Sequence, residues 1–311
     1  MNRTPILAVG SMALDSVETP FGKRDEVLGG SVSYFSTVAS FFSEVRVVAV
    51  VGEDFPEEAL SFLRSRGVKL DGVTHAPGRT FRWRGKYGFD LNEAHTLETQ
   101  LNVFEHFSPT LPPGWEQSEI VFLGNIHPAL QRRVREQATR ARLVAADTMN
   151  LWISTQREEL LKTLALVDLL FVNDAEARML AGEHSIVKAA HAIQRMGPKS
   201  VVIKRGEYGA MLFSEGHVFA APAFPLPSVF DPTGAGDSFA GGFVARLARA
   251  AKPDLHTLRQ AVALGTVMAS FTCEQFSLDR LRTLTPPEIA ARYAELKALT
   301  VFEDLPGELV A

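Results

Sequence analysis

Residues 167–204 read VDLLFVNDAEARMLAGEHSIVKAAHAIQRMGPKSVVIK, and this stretch predicts the repeating unit of the fold. It contains two short, mostly apolar runs rich in β-branched residues, Leu169–Val172 and Val201–Lys204. Such runs are typical of strands buried on both faces, as in a parallel sheet. The residues between them carry helical patterns over Ala175–Ala181 and Ile186–Met196. The stretch is therefore predicted to be a strand–helix–strand crossover.

The same alternation continues over most of the chain. Further strand-like runs are Val45–Val51, Ile120–Leu123 and Leu143–Ala146. Further helical patterns are Val32–Phe42, Pro56–Arg66, Ala129–Ala141 and Thr155–Leu166. The alternation predicts an α/β fold with a doubly wound, mostly parallel sheet and helices on both faces. Residues 1–311 are expected to form one such domain.

Two segments, residues 14–28 and 73–106, interrupt this alternation. Both alternate polar and apolar residues, which predicts antiparallel strands outside the main sheet. Two insertions of this kind can build one small β lid beside the carboxyl ends of the parallel strands, where ligands bind in such folds. An exposed edge of the lid would invite pairing with a second copy, so a homodimer through the lid is a candidate assembly, and the sequence leaves the oligomeric state open.

The composition limits the classes of function. The chain has 311 residues, 46% of them hydrophobic, and a formal net charge of −4. No run of Lys and Arg stands out, which argues against nucleic-acid binding. No apolar stretch reaches the ~20 residues of a membrane span, and the first residues do not resemble a signal peptide. The single cysteine, Cys273, is expected to be a buried unreactive thiol, and the protein is expected to be cytoplasmic.

The segment Asp231–Phe243, DPTGAGDSFAGGF, carries the clearest chemical signal. A turn of small residues leads into a strongly helical pattern. Unpaired backbone N–H groups and the positive end of the helix dipole meet at such a helix start and favour anions. Gly234 and Gly236 would let a phosphate approach the backbone closely, because they have no side chain.

Asp237, in the same segment, has two interpretations. A carboxylate beside a phosphate repels it, and its presence is explained if it accepts the proton of a hydroxyl that attacks a phosphoryl group. Alternatively, it is a first-turn acid that only complements the helix dipole. Neither a G-x-x-x-x-G-K-[ST] loop nor a G-x-G-x-x-G turn after the first strand occurs, which argues against Walker-type enzymes and dinucleotide-dependent dehydrogenases.

Residues 231–243 resemble the C-terminal signature of the ribokinase-like, or PfkB-type, carbohydrate and nucleoside kinases. Gly29-Gly30 resembles the family's N-terminal glycine pair, and Asn173–Glu176 resembles its N-x-x-E motif. Lys204–Gly209 is similar to the G-x-x-G turn beside the adenine site. Gly52–Phe55 is similar to the G-x-D-x-x-G region, although the last glycine is missing. The resemblance implies a ribokinase-like fold and a phosphotransferase that uses ATP and Mg²⁺, with K⁺ as an additional cation.

The resemblance also implies roles for individual residues. Asp237 would be the base, and the amides of Gly234, Ala235 and Gly236 would form the anion hole. The implied substrate-binding residues are Asp15, Gly29 and Gly30. The implied ATP- and phosphate-binding residues are Asn173, Lys204, Gly206, Gly209 and Thr233. The implied cation ligands are Glu176, with Asn173, for Mg²⁺ and Asp231 for a monovalent cation. 

Several of these positions also have local interpretations. Asn173 and Glu176 fit a helix cap and a first-turn acid. Lys204 is as readily a solvated charge at a strand end. Asn150, three residues after Asp147, is a candidate for the phosphate side of the site.

The substrate is less clearly indicated. Position 34 is Tyr, where many sugar kinases of the family carry Asn. The rings of the lid segment could stack on a nucleobase, but they are expected to form the lid's own core: Phe81, Trp83, Tyr87, Phe89 and Phe104. Gln100 and Asn102 alternate with apolar residues on an expected lid strand, and Asn102 is a candidate hydroxyl contact. A small sugar or polyol is favoured, and a nucleoside is the alternative. A catalytically idle binding protein is a further alternative, which the presence of Asp237 argues against.

Overall fold

The computed structural model describes residues 4–92 and 94–304, in which thirteen strands and eleven α-helices are assigned. The strands are β1 (Ile6–Val9), β2 (Ala13–Thr19), β3 (Gly22–Gly29), β4 (Val45–Val51), β5 (Lys69–His75), β6 (Arg82–Tyr87), β7 (Ala94–Gln100), β8 (Ile120–Leu123), β9 (Leu143–Asp147), β10 (Leu169–Asn173), β11 (Ser200–Lys204), β12 (Ala210–Ser214) and β13 (His217–Ala221). The helices are α1 (Ser31–Ala39), α2 (Glu57–Ser65), α3 (Pro128–Gln137), α4 (Asn150–Thr155), α5 (Arg157–Leu164), α6 (Asp174–Ala181), α7 (Ile186–Gln194), α8 (Ala235–Ala248), α9 (Leu255–Thr272), α10 (Asp279–Thr283) and α11 (Pro286–Ala298).

Nine strands form the main sheet, in the order β13-β12-β11-β10-β9-β8-β1-β4-β5. The strands from β11 to β5 pair in parallel, and β12 and β13 add two antiparallel pairs at one end. The chain leaves β1 first toward β4 and later toward β8, so the sheet is doubly wound. The predicted α/β fold class is confirmed. In such sheets the crevice at the carboxyl ends of the strands is the usual ligand site.

Two apolar cores cover the two faces of the sheet. In β1, Ile6 and Ala8 belong to one core and Leu7 and Val9 to the other. The first core packs α1, α8 and α9 on the sheet, and the second packs α3, α5, α6 and α7. Because both faces are buried, the central strands are apolar at nearly every position, which is why their runs can be recognised in the sequence.

Close helix contacts explain the glycine pair inside α8. A Cβ atom built on Gly241 would lie 2.7 Å from the carbonyl oxygen of Phe35 in α1. One built on Gly242 would lie 3.0 Å from the carbonyl oxygen of Leu264 in α9. Both glycines therefore let α8 approach its neighbours more closely than a larger residue would allow. This close packing fixes the helix whose first turn lies at the candidate site.

A separate four-stranded sheet, in the order β3-β2-β6-β7, forms the lid. The pairs β2–β3 and β6–β7 are antiparallel, whereas β2 and β6 are parallel. Both insertions leave the main sheet at the carboxyl ends of parallel strands, so their first strands run in the same direction. Residues 73–75, which the pattern assigned to the lid, belong instead to β5, the edge strand of the main sheet. β5 is largely exposed, and its polar sequence resembles that of the lid strands.

The helices and the Cys273 thiol bear on membrane crossing and on thiol reactivity. Within residues 4–92 and 94–304, none of the helices combines the length and apolar character that crossing a membrane requires. Burial, together with the charges of Asp231 and Glu274, raises the pKa of the Cys273 thiol to about 12. The thiol therefore stays protonated at neutral pH, as expected for an unreactive cysteine.

Candidate active site

The candidate site lies where several strands of the main sheet end. β9, β10 and β11 are adjacent and parallel, and they end at Asp147, Asn173 and Lys204. Asn173 and Lys204 are direct register partners. The first turn of α8 approaches the same edge, since a Cβ atom built on Gly236 would lie 2.9 Å from Lys204 Nζ. The fold thus brings together residues as far apart in the sequence as Asp147 and Gly236, which are separated by 89 positions.

The first turn of α8 has the geometry of an anion-binding site. Its N-cap residue, Gly234, has φ 75° and ψ 0°, a left-handed conformation, and none of the described side chains caps the helix. The Ala235 amide donates to the Pro232 carbonyl at 3.1 Å. Within the described part of the chain, the amides of Gly234 and Gly236 have no acceptor. Two of the three amides predicted for the anion hole are therefore free, and that of Ala235 is engaged in the turn.

Lys204 and Asp147 form an ion pair beside this turn. Lys204 Nζ donates to Asp147 Oδ2 at 2.7 Å, and the two side chains are 19% and 6% exposed. Burial lowers the pKa of Lys204, but the carboxylates of Asp147 and Glu176 outweigh it, and the net pKa is raised. The amine therefore carries its charge at neutral pH. Lys204 is therefore not a solvated surface charge, as the local interpretation would have it, because its amine is paired with Asp147 and lies against the first turn of α8.

Asp237, in the first turn of α8, has a strongly perturbed pKa. Burial and, to a smaller extent, the charge of Asp147 raise the pKa, the charge of Lys204 lowers it, and the net pKa is about 7. A general base works best when its pKa is close to the operating pH. Asp237 can therefore take up a proton near pH 7 and still be largely ionised just above it.

Asp15 and the glycine pair form a second polar centre. Asp15 is buried at 5% exposure, and its Oδ2 accepts a hydrogen bond from the Gly30 amide at 3.3 Å. A Cβ atom built on Gly29 would lie 1.9 Å from that same oxygen. Gly30 has φ 90°, which disfavours any other residue. Burial raises the pKa of Asp15 to about 7, the Gly30 amide lowers it, and the charges of Asp231 and Asp237 raise it. Of the two predicted substrate glycines, Gly29 thus leaves room for the Asp15 carboxylate and Gly30 donates a hydrogen bond to it.

Asn173 and Glu176 form a capping box at the start of α6. Asn173 Oδ1 accepts from the Glu176 amide, and Glu176 Oε2 accepts from the Asn173 amide, both at 2.7 Å. Burial raises the pKa of Glu176 to about 7, with Lys204 lowering it and Asp147 raising it. The second carboxylate oxygen, Oε1, has no hydrogen-bond partner in the described residues. The local interpretation is therefore present in the structure, and one oxygen remains for a cation.

Cation ligands are sparse at this site. Among the described residues, no group of three or more His, Cys, Asp or Glu side chains is arranged to hold a metal ion. A cation that binds phosphates and water as well as one or two carboxylates, as Mg²⁺ does in kinases, needs no such group. Glu176 Oε1 fits that limited role. The predicted roles of Glu176 and Asn173 in Mg²⁺ binding stay predictions.

Asp231 joins two loops beneath the site. Its Oδ1 accepts from the Thr233 amide at 2.9 Å and its Oδ2 from the Ser277 amide at 3.1 Å. Thr233 Oγ1 lies 3.3 Å from the hydroxyl of Tyr87 in lid strand β6. Asp231 thus fixes the turn that precedes α8, and Thr233 touches the lid. The predicted monovalent-cation site at Asp231 and the predicted phosphate contact at Thr233 stay predictions.

The turn after β11 reaches the lid as well. Gly206–Tyr208 forms a single 3₁₀ turn, closed by a hydrogen bond from the Arg205 amide to the Gly209 carbonyl at 2.8 Å. Asn92, in the loop between β6 and β7, lies so close to Gly206 that a Cβ atom there would be 2.2 Å from its Oδ1. The loop of the lid therefore touches the turn to which the resemblance assigns ATP.

Asn102, predicted to contact the acceptor, and Asn150, predicted for the phosphate side, both have other contacts in the structure. Asn102 does not lie on a lid strand, because β7 ends at Gln100 and Asn102 begins a 3₁₀ segment with φ 50°. Its Nδ2 donates to the Thr80 carbonyl at 2.9 Å, so its side-chain amide holds the segment that leads into lid strand β6. Asn150 is exposed at the start of α4, and its side chain caps Leu151.

The five rings of the lid segment also divide. Phe81 and Phe104 pack in the second core of the main domain, and Phe89 is 97% exposed. Only Trp83 and Tyr87 belong to the lid's own cluster, with Val17 and Phe276. The expectation of one lid core of rings was therefore wrong for three of the five. Trp83 is the register partner of Asp15 across β2 and β6, and lies on the same face of the lid.

Two residues of the site were not predicted. Asp147 directly follows the predicted strand Leu143–Ala146, but its pairing with Lys204 depends on β9 and β11 flanking β10, which a single sequence does not reveal. Tyr34 was noted only as a departure from the family pattern. Its ring packs against Gly234, where a Cβ atom would lie 2.4 Å from three ring carbons. The unusual residue at position 34 was the available signal.

The chain is similar in sequence and in fold to known kinases. Residues 34–281 match the model of the pfkB family carbohydrate kinases. The cytidine kinase of Thermococcus kodakarensis is 29% identical over 266 residues, covering 84% of this chain and 92% of that protein. The nucleoside kinase of Methanothermobacter thermautotrophicus is 25% identical over 290 residues, covering 86% and 89%. The structure of a ribokinase from Thermotoga maritima shares the fold, with a TM-score of 0.74 at 22% identity over 94% of this chain and 99% of that one. The chain therefore belongs to the pfkB family of carbohydrate kinases and is a phosphotransferase that acts on an alcohol group.

Proposed function

We propose that this protein transfers the γ-phosphoryl group of ATP to a hydroxymethyl group of a small sugar-containing acceptor, with Asp237 as the base. In this reaction the hydroxyl oxygen bonds to the γ-phosphorus, the bond from that phosphorus to the β–γ bridging oxygen breaks, and ADP leaves. The hydroxyl proton passes to Asp237. The observation that carries the proposal is a carboxylate with a pKa of about 7 in the same helix turn as the free amides of Gly234 and Gly236.

The other residues of the site have supporting roles in this proposal. The amides of Gly234 and Gly236, with that of Ala235 where its turn permits, stabilise the negative charge of the transferring group. Lys204 neutralises phosphate charge beside them. Bound Mg²⁺ would neutralise further phosphate charge, held by Glu176 with Asn173. The Gly206–Gly209 turn borders the nucleotide. A monovalent cation at Asp231 is part of the proposal.

For the acceptor we favour a nucleoside over a free sugar. Two relatives whose matches cover more than four fifths of the chain are named cytidine kinase and nucleoside kinase. Trp83 supports this class, because its ring shares a lid face with Asp15 and could stack on a base while Asp15 binds a sugar hydroxyl. A free sugar or polyol is the second candidate, since Asp15 and Asp237 can bind its hydroxyls without any ring.

The assembly is a separate part of the proposal. Strands β3 and β7 are the two edges of the lid, and β7 is exposed along its length. We propose that two lids pair through such an edge in a homodimer. The charged run Lys23–Glu26 on β3 disfavours pairing there, so β7 is the better candidate edge.

The proposal is tested by ADP release with a panel of nucleosides, sugars and polyols, in the presence and absence of Mg²⁺ and K⁺. Replacing Asp237→Asn should reduce kcat by at least about 10³-fold, because the substituted side chain cannot accept the proton. ATP binding should stay close to that of the wild type. Asp174→Asn is the matched control, since Asp174 is also an acid in the first turn of a helix at this edge of the sheet.

The outcomes separate the alternatives. Turnover of the Asp237→Asn variant within tenfold of the wild type would exclude Asp237 as the base. Binding of ATP and an acceptor by the wild type without any ADP release would indicate a catalytically idle binding protein instead.

A further inference from the structure

Tyr34 lies inside the site although nothing in the proposed mechanism uses it. It belongs to α1, whose nine residues are all buried, and its amide donates to the carbonyl of Gly30 at 3.4 Å. Gly30 is the residue that donates to Asp15. On its other side, the ring of Tyr34 packs on Gly234, the N-cap of the helix that carries Asp237. Tyr34 therefore links the Asp15 centre to the Asp237 centre.

The hydroxyl of Tyr34 has no hydrogen-bond partner in the part of the chain that the structure describes. The residue is 1% exposed, and within residues 4–92 and 94–304 no group forms a hydrogen bond with this hydroxyl. Tyr87, the other phenol of this region, differs because its hydroxyl meets Thr233 Oγ1 at 3.3 Å. Polar groups inside proteins are nearly always hydrogen-bonded, so an unpartnered one at a site indicates a ligand or water.

The charges around Tyr34 determine that its hydroxyl acts as a hydrogen-bond donor toward a ligand. Burial and the nearby carboxylates of Asp231, Asp15 and Asp237 all raise the pKa of Tyr34 well above its usual value. The phenol therefore stays protonated and can donate. The carboxylates of Asp15 and Asp237 can only accept when they are ionised. An acceptor that fits all three groups has two hydroxyls that donate and one oxygen that accepts, as a ribose or a related polyol does.

We propose that the Tyr34 hydroxyl donates a hydrogen bond to an oxygen of the acceptor substrate, at the position between the Asp15 and Asp237 centres, and thereby helps to select the acceptor. This inference rests on the proposed kinase function. It adds a neutral donor beside the carboxylates of Asp15 and Asp237. A substrate that lacks an oxygen at that position leaves the buried phenol unpaired, and binding weakens for that reason.

The test uses Tyr34→Phe, which keeps the ring on Gly234 and removes only the oxygen. With the best acceptor of the panel, KM for the acceptor should rise about 2- to 12-fold, the effect of one net hydrogen bond. KM for ATP, kcat and Tm should stay close to those of the wild type. Tyr293→Phe is the matched control, because it removes a phenol oxygen from α11, and all its constants should be unchanged.

Deoxy analogues of the acceptor identify the partner oxygen. For the wild type, removing that oxygen should raise KM by the same factor as Tyr34→Phe does, whereas in Tyr34→Phe the same removal should change little, because both members of the pair are then absent. Equal acceptor KM values for Tyr34→Phe and Tyr293→Phe would overturn the inference while the kinase function stands. A wild type that phosphorylates no acceptor would overturn the proposed function, and the inference with it.

Discussion

Asp237 lies between opposing charges, and this balance decides at which pH it can act. Burial is the main reason that its pKa is about 7. Asp147 adds to that shift because two carboxylates resist ionising together, and Lys204 opposes it because a cation favours the ionised form. The ion pair of Asp147 and Lys204 therefore acts on Asp237 with two opposite signs.

At constant saturating ATP, kcat/KM for the acceptor should rise with pH along a limb near pH 7, because only ionised Asp237 accepts the proton. Lys204→Met removes the cation, so the pKa of Asp237 rises and the limb moves to higher pH. Asp147→Asn removes the neighbouring anion, so the pKa falls and the limb moves to lower pH. The measurement is the pH profile of kcat/KM for each variant.

The exposed ion pair of Lys199 and Asp168, with its atoms 3.0 Å apart, supplies the control. Lys199→Met and Asp168→Asn should leave the limb where it is. Asp15 also has a pKa of about 7, but its shift is caused by burial, the Gly30 amide, Asp231 and Asp237. A limb that responds to neither Lys204 nor Asp147 would assign the titration to another group.

Residues with a demanding local geometry were predictable from the sequence. Gly30 and Gly234 both have φ in the left-handed region, and their neighbours Asp15 and Asp237 follow from the motifs around them. Asp147 was not predictable, because its effect depends on a lysine 57 positions away. Asn102 was misplaced, since an alternating pattern does not reveal where a strand ends.

At the scale of elements, the start of α8 depends on the absence of a side chain at Gly234. A Cβ atom there would meet the ring of Tyr34 at 2.4 Å, and φ 75° disfavours any other residue. Tyr34 is fully buried and cannot move aside without cost. Any larger residue must therefore shift the turn, and with it the free amides and Asp237.

Gly234→Ala should accordingly lower kcat by about 10²-fold or more, the effect of losing an anion-hole donor, and should also lower Tm. Gly182→Ala is the matched control. Gly182 ends α6 with φ 66°, and no atom of the described residues lies within 4 Å of its Cβ position. It should cost about 1 kcal/mol of stability from the backbone alone and leave kcat unchanged. Similar kcat values for the two variants would show that the Tyr34 contact does not fix the turn.

The elements themselves were predictable to the extent that they are buried on both sides. The apolar runs of β4, β8, β9, β10 and β11 were all recognised. Strands β5, β12 and β13 were not recognised. In β5 and β13 exposed positions make the sequences polar and similar to loops, whereas β12 is largely buried, and only its five-residue length and the flanking turns explain the miss. In β5 and β13, exposure to solvent, and not a low strand propensity, removed the apolar pattern by which a strand is recognised in a sequence.

For the whole molecule, the site has a cost in stability that depends on pH. Asp15, Glu176 and Asp237 all have a folded-state pKa of about 7, raised mainly by burial, from ordinary values near 4. Between about pH 4 and pH 7 the folded protein therefore binds more protons than the unfolded chain at these groups. Their contribution to the free energy of unfolding falls as pH rises through this window.

Asp237→Asn should remove one part of this cost, because its side chain stays neutral. The Tm of the variant should match that of the wild type near pH 4, where Asp237 is protonated in the folded state. It should exceed the wild-type Tm by a few degrees at pH 8, where the wild type must hold a buried carboxylate. Thermal unfolding measured from pH 4 to pH 8 gives the difference directly, with Asp174→Asn as the control for the same change at a half-buried position. A difference in Tm that stays constant over this range would mean that folding does not raise the pKa of Asp237. The change of kcat/KM near pH 7 would then have to come from another group.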